Sequence, residues 1–303
     1  MLLWGVSMAR RKPWEVSDDL WAVIEPLLPK HERRFRYPGR RRIDDRKTLQ
    51  GVPFVLYTGV QREYLPQEPG FGSGPTCWRR PAEWREAGVW EELQRVLPDG
   101  LRAADRLDFS RAAIDASHAQ AKRERSSPKV GPGPVDRARP GSKHHVPTDA
   151  RGTPLRVSLT GGHRHDVTRL LPLIDSLGPV RGKRGRPRRK PRTVYADRGY
   201  DIYRRRLRER DITPKTARRG RPHGSGPGKV RWVAESAIAW LHGPRRLRIR
   251  WEVRDDMQMC GPIPAYCLIR LHLEASSVTT NSRVVAQWGR DQGRSPVAII
   301  SSP

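Results

Sequence analysis

Apolar side chains recur at helical spacing from Leu20 through Trp21, Ile24, Leu27 and Leu28, with Ser17 as a ready N-cap and Pro29 as the stop. Beyond the basic link HERRFRYPGRRR, a second helix is predicted from a cap at Asp44 or Asp45 through Leu49 and Val55 to Tyr57, with Pro53 placed awkwardly inside it. A loop rich in Gly and Pro runs from Leu65 to Pro75. After it, the spacing of six between Trp78, Trp84 and Trp90 predicts a helix over Cys77 to Trp90. Residues 8–100 therefore read as a small helical unit. Both a helix-turn-helix-like DNA reader and a plain three-helix packing unit fit that pattern.

From Leu107 the texture changes to short apolar runs alternating with helical stretches. Strands are predicted at Ala112 to Ala116, at Leu155 to Leu159 after a turn at Gly152 and Thr153, at Thr193 to Ala196, and at DITPK. Helices are predicted over Asp166 to Leu177, Tyr200 to Arg210 and Arg231 to His242. This alternation predicts one α/β domain over residues 105–273, with a mixed sheet flanked by helices. Gly161 and Gly162 read as a turn. The stretches Ser126 to Lys143 and Arg181 to Arg192 read as linkers, and residues 274–303 as an irregular tail.

Charge narrows the class of partner. Sixty Lys and Arg against 32 Asp and Glu give a formal charge of +28, far beyond what solubility needs, so a polyanion is the expected partner. Double-stranded DNA fits. A membrane does not, because the chain offers neither an amphipathic basic helix nor an apolar run approaching the roughly 18 residues of a span. Cys77, Cys260 and Cys267 show no Cys-x-x-Cys spacing, which suits a reducing cytoplasm rather than a disulfide framework or zinc knuckle. The opening MLLWGVS is too short for a signal peptide, and Met8 is the expected start.

Asp115 and Asp197 each follow a strong strand candidate, and an open α/β sheet places its sites at strand ends. Phosphodiester chemistry uses two divalent ions about 4 Å apart with a carboxylate bridging them. Asp115 suits the bridge, and Glu235 on the helix after the last strand would complete a hard-oxygen set for magnesium or manganese. With 32 acidic residues many such triples exist, and Asp197 could equally pair with Arg198 or cap the turn at Gly199.

The strings AIDASH, HHVPTDARGTPLRVSLTGGHRHD, YADRGYD and RWVAESAIAWLHGPRRLRIRWE resemble the DDE transposases of bacterial insertion sequences, in the branch similar to insertion sequence five. PWEVSDDLWAVIEPLLP, FVLYTG and GFGSGPTCWRR look like the helical domain preceding the catalytic core there. The resemblance covers residues 8–272. It implies an RNase H-like core with Asp115, Asp197 and Glu235 as catalytic, metal-holding acids, two Mg2+ or Mn2+ ions, and cleavage and strand transfer at the element's inverted repeats. It also implies target DNA as a partner, a homodimer or larger synaptic complex, and a cytoplasmic, nucleoid-associated place. The alternatives are an inactive DNA-binding relic and an RNase H-like nuclease.

Arg231 stands four before Glu235, at the arginine position of that family's pattern of Tyr, Arg, Glu and Lys, and a phosphate grip is expected of it. The lysine position is His242 and the tyrosine position Gly228. Further DNA contacts are expected from Arg245, Arg246, Arg248 and Arg250, and from Arg186, Arg188 and Arg189 in the second basic stretch, where a solvated basic face is the alternative. His144, His145, His163 and His165 lack the ligand spacing of a closed zinc site and are expected to be core or DNA-facing.

Overall fold

The computed structural model describes residues 12, 14–32, 35–37, 39–103, 107–122, 127–134, 137–180, 186–216 and 228–252. The expectations about the opening MLLWGVS and the tail over 274–303 fall outside these residues.

Four helices come first: α1 (Asp18–Ile24), α2 (Asp45–Thr58), α3 (Gly74–Glu86) and α4 (Val89–Ala103). Ser17, Asp44 and Ser73 cap α1, α2 and α3, each side chain accepting a backbone N–H of the first turn. Pro53 lies inside α2 without ending it. The helix expected over Cys77 to Trp90 is two helices. Gly88 adopts φ +74°, which turns the chain between α3 and α4 so that Trp84 and Trp90 meet edge to face instead of lining one helix.

A mixed sheet follows, with seven strands among the described residues. Its central strand, β1 (Arg111–Ala121), pairs antiparallel with β3 (Pro140–Thr148) and parallel with β5 (Thr193–Ala196), which pairs parallel with β6 (Thr213–Thr216). Strands β2 (Gly131–Pro132) and β4 (Ser158–Gly161) pair with β3, and β7 (Ile249–Arg250) pairs with the far end of β1. The expected linker over 126–143 thus contains β2 and the start of β3. Gly141 looked like loop punctuation, but a Cβ there would lie 2.6 Å from the Ala119 carbonyl oxygen and 2.4 Å from His118 Nε2, so glycine permits close packing of the two strands.

Helices cover both faces, in the three-layer manner of α/β domains. The even residues of β1, Ala112 and Ile114, pack with Val194, Leu170, Ile174 and Leu207 from β5, α5 (Leu170–Asp175) and α6 (Arg204–Arg208). Short 3₁₀ turns, Asp166–Arg169 and Arg198–Tyr203, lead into α5 and α6, so the two longer helices expected there are broken. On the opposite face Ala113 meets Val233 and Ala234 of α7 (Gly228–Leu241). Further along the same face of α7, Ala237 and Leu241 share one apolar cluster with Val146 of β3 and with Leu20, Leu49, Trp84, Trp90 and Leu93. The amino-terminal helices therefore clamp α7 onto the sheet. No described helix is long and apolar enough to cross a membrane.

Candidate active site

Side chains alternate across a strand, so Ala113, Asp115 and Ser117 of β1 all face α7. Ala234 and Ala237 are fully buried, and their small size lets α7 approach the strand closely. One turn apart on that helix, Arg231 and Glu235 pair with each other and Arg231 also reaches Asp115, and near the helix end His242 Nε2 lies 2.9 Å from Ser117 Oγ.

The register explains the second aspartate. Ala113 pairs with Tyr195 in parallel, so each aspartate lies two residues beyond the last pair, and both reach Arg231. Asp115 is a mid-strand residue, not a strand-end residue as the sequence suggested. It is open because β5 stops at Ala196 and pairs only with Arg111 to Ala113, while β7 joins only at Gln120 and Ala121. Asp197 begins the 3₁₀ turn after β5. That turn is pinned to β6: Arg204 donates to the carbonyl and hydroxyl oxygens of Thr216, and both Arg204 and the Thr216 hydroxyl donate to Asp201 Oδ1.

The three acids converge on one guanidinium. Arg231 Nη1 lies 3.1 Å from Asp197 Oδ1, and its Nη2 lies 3.6 Å from Asp115 Oδ2 and 3.7 Å from Glu235 Oε1. Two oxygens that reach the same nitrogen are less than twice that distance apart, within the scale of a site for ions about 4 Å from each other. Burial pushes the Asp115 carboxyl above its ordinary range, and Glu235 and Asp197 add to this, against the Ala116 N–H and Arg231. Asp197 and Glu235 are more than half exposed.

Three carboxylates against one guanidinium leave negative charge in excess, and carboxylate oxygens are the donors a hard divalent cation takes. The donor chemistry fits such an ion. As the side chains stand, no three His, Cys, Asp or Glu among the described residues close around one point, because Arg231 sits between them.

The expected DNA-contacting residues divide. Arg245 and Arg248 are exposed, as are Arg186 and Arg189. Arg188 is half-buried and its backbone bridges Val180. The stretch from Arg186 to Arg192 enters β5 at its start, at the end away from Asp197. Arg246 is mostly covered, donating to the Val60 carbonyl and pairing with Glu252. Arg250 corrects its expectation: it is 2% exposed and spends its donors on Lys129 O, Ser142 Oγ, Ser127 Oγ and Glu252 O, so it braces the β1 and β3 edge and cannot reach DNA. His242 is a second correction, because its ring is turned inward between Ser117 and the buried His144, whose ring lies edge to face at 5.8 Å.

Sequence reasoning missed Tyr200 and Asp149. Tyr200 is 4% exposed, its hydroxyl has no hydrogen-bond partner among the described residues, and burial pushes its pKa up, with Asp166, Asp115 and Asp197 adding to the effect. Its place three residues after Asp197 was the available signal. Asp149 is fully buried and accepts the backbone N–H groups of Asp108, Arg151 and Thr153, shaping the turn whose Gly152 packs against Val233 of α7.

Comparison with known proteins decides the family. The family described as "Transposase DDE domain" matches residues 107–259, and that described as "Putative transposase of IS4/5 family" matches residues 16–94. The chain belongs to the DDE transposases. A "Putative transposase for insertion sequence element IS402" from Burkholderia cepacia is 61% identical over 144 residues, covering 47% of this chain and 68% of that protein. An IS402 "uncharacterized 16.2 kDa protein" from the same organism is 51% identical over 107 residues, 35% of this chain and 73% of the relative. No solved structure matches the chain. The DDE-domain match contains all three converging acids and Arg231, and the amino-terminal match contains the helices that clamp α7. The protein is a transposase.

Proposed function

We propose that this transposase cuts DNA at the ends of its insertion element and joins the freed ends to target DNA, using an RNase H-like core in which Asp115, Asp197 and Glu235 hold Mg2+ or Mn2+. The observation carrying this reading is the convergence of the three acids on Arg231 from β1, the turn after β5, and α7. The central strand flanked by an antiparallel and a parallel neighbour, with the third acid on a helix laid across it, supports the core assignment.

Bound there, the divalent ions would ease deprotonation of the attacking oxygen and neutralise charge developing on the phosphate. Asp115, mostly buried and braced by the Ala116 N–H, gives the site a fixed anchor. Asp197 and Glu235 open to solvent, where a strand of DNA can approach. Water attacks the phosphodiester at the element's end, its oxygen forming the new P–O bond as the 3′ oxygen leaves and takes up a proton. That 3′ hydroxyl then attacks a target phosphodiester and displaces a second 3′ oxygen. No covalent protein intermediate is involved, and the protein contributes positioning and charge. Arg245 and Arg248, exposed on the chain just after α7, supply backbone phosphate contacts. Two element ends must meet, so a dimer or larger synaptic assembly works in the cytoplasm on nucleoid DNA.

The test is a strand-transfer reaction with the purified chain, labelled inverted-repeat DNA and Mg2+ or Mn2+. Joined product that EDTA abolishes is expected. Hydrolysis without joining would make the protein a nuclease, and DNA binding without either would make it an inactive relic.

A further inference from the structure

Arg231 is the only basic side chain that pairs with the three acids among the described ion pairs, and it touches all three at once. Its bonding is poor for a group so placed. Only the contact to Asp197 is a hydrogen bond; those to Asp115 and Glu235, at 3.6 and 3.7 Å, are longer than N–H···O bonds usually run. The buried Nε has no hydrogen-bond partner among the described residues. One unit of positive charge is thus stretched over three carboxylates that need more, and a guanidinium with unmet donors is cheap to dislodge. A divalent cation carries twice the charge and binds the same oxygens at about 2.0–2.1 Å if it is magnesium, so the two cannot occupy the pocket together.

Resting on the assignment of Asp115, Asp197 and Glu235 as metal ligands, we propose that Arg231 is the resident counter-cation of this pocket and sets its metal affinity. Before metal arrives it keeps the acids gathered and their repulsion partly quenched. Metal binding must drive it out, so the arginine competes with the ion for the acids. Arg231 acts here as a positioning residue that tunes ion occupancy.

The experiment is Mn2+ binding to the full chain without DNA, read by the electron paramagnetic resonance signal of free Mn2+. Arg231→Gln, which keeps a polar side chain but removes the charge, is expected to bind Mn2+ roughly tenfold tighter, or more, than the wild-type chain. Arg231→Lys, a single ammonium that spans fewer carboxylates, is expected to fall between them, and it keeps the test usable should the glutamine variant fold poorly. Affinity unchanged or weakened in both variants would overturn the proposal. Asp115→Asn separates this from the underlying reading. It should weaken Mn2+ binding in the wild-type and Arg231→Gln backgrounds alike; Mn2+ binding indifferent to Asp115→Asn in the wild-type chain would instead refute the acids as ligands.

Discussion

Trp90 stands edge-on to Trp84, ring centres 5.8 Å apart, across the bend at Gly88, and both rings lie in the cluster that also holds Ala237 and Leu241 of the site-bearing helix α7. The amino-terminal helices and the sheet with its α7 therefore share one core. Trp84→Ala is expected to destabilise the whole chain by about 3–5 kcal/mol. In urea, loss of helix signal and loss of tertiary fluorescence should shift together; a separate early transition of the amino-terminal helices alone would contradict the shared core.

The packing of α7 on β1 relies on small side chains. Ala234, fully buried beside Ala113, leaves no room for a larger group. Ala234→Leu should cost about 1–3 kcal/mol by overpacking and lift Glu235 and Arg231 away from Asp115. Strand transfer should fall more than stability does, whereas the matching change at the exposed Trp232, Trp232→Leu, should leave stability within about 0.5 kcal/mol. Equal thermal denaturation midpoints for Ala234→Leu and the wild-type chain would show that the close approach is not needed.

Much of this arrangement was legible in the chain. The apolar runs at Asp115 and before Asp197 marked these acids as strand-linked, but among 32 acidic residues only the resemblance to the DDE transposases singled out Asp115, Asp197 and Glu235. What escaped was set by tertiary geometry. That Asp115 is a mid-strand residue follows from where β5 and β7 stop, which no local pattern encodes. Arg250 looks like its neighbours Arg245 and Arg248 in sequence, yet the strand pairing of β7 turns it inward onto Ser142 and Lys129. Glycines such as Gly141 read as loop because the same absence of a side chain serves turns and close strand packing.

Asp149 is a structural carboxylate whose turn packs against α7 at Val233. Asp149→Ala strips the acceptor from three backbone N–H groups and should cost about 3 kcal/mol or more. Hydrogen exchange should then quicken in residues 149–153 and in the facing turn of α7 around Val233. Protection unchanged in α7 would mean that the turn does not support the helix.

The buried histidines predict the acid limb of stability. Burial holds His144 down to about 3 from an ordinary 6.5, and His145 is lowered for the same reason. The unfolded chain thus takes up protons that the folded chain refuses. Stability should be intact above about pH 6.5 and fall as the pH drops, by up to about 1.4 kcal/mol per pH unit for each histidine, down to about 4 for His145 and about 3 for His144. Denaturant midpoints against pH, compared with His144→Phe, check this: the substitution should flatten the slope, and an unchanged slope would exclude His144 as its source.

If Asp115, Asp197 and Glu235 act as one catalytic set, loss of a single carboxylate should stop the reaction. The most direct measurement is the yield of joined product from inverted-repeat DNA with purified wild-type protein and with Asp115→Asn, in Mg2+ and at matched folded concentration. Joined product is expected to fall by about a thousandfold or more with the fold retained, since an amide there removes the charge the ions require. Joined product at the wild-type level from Asp115→Asn would contradict a shared catalytic role for the three acids.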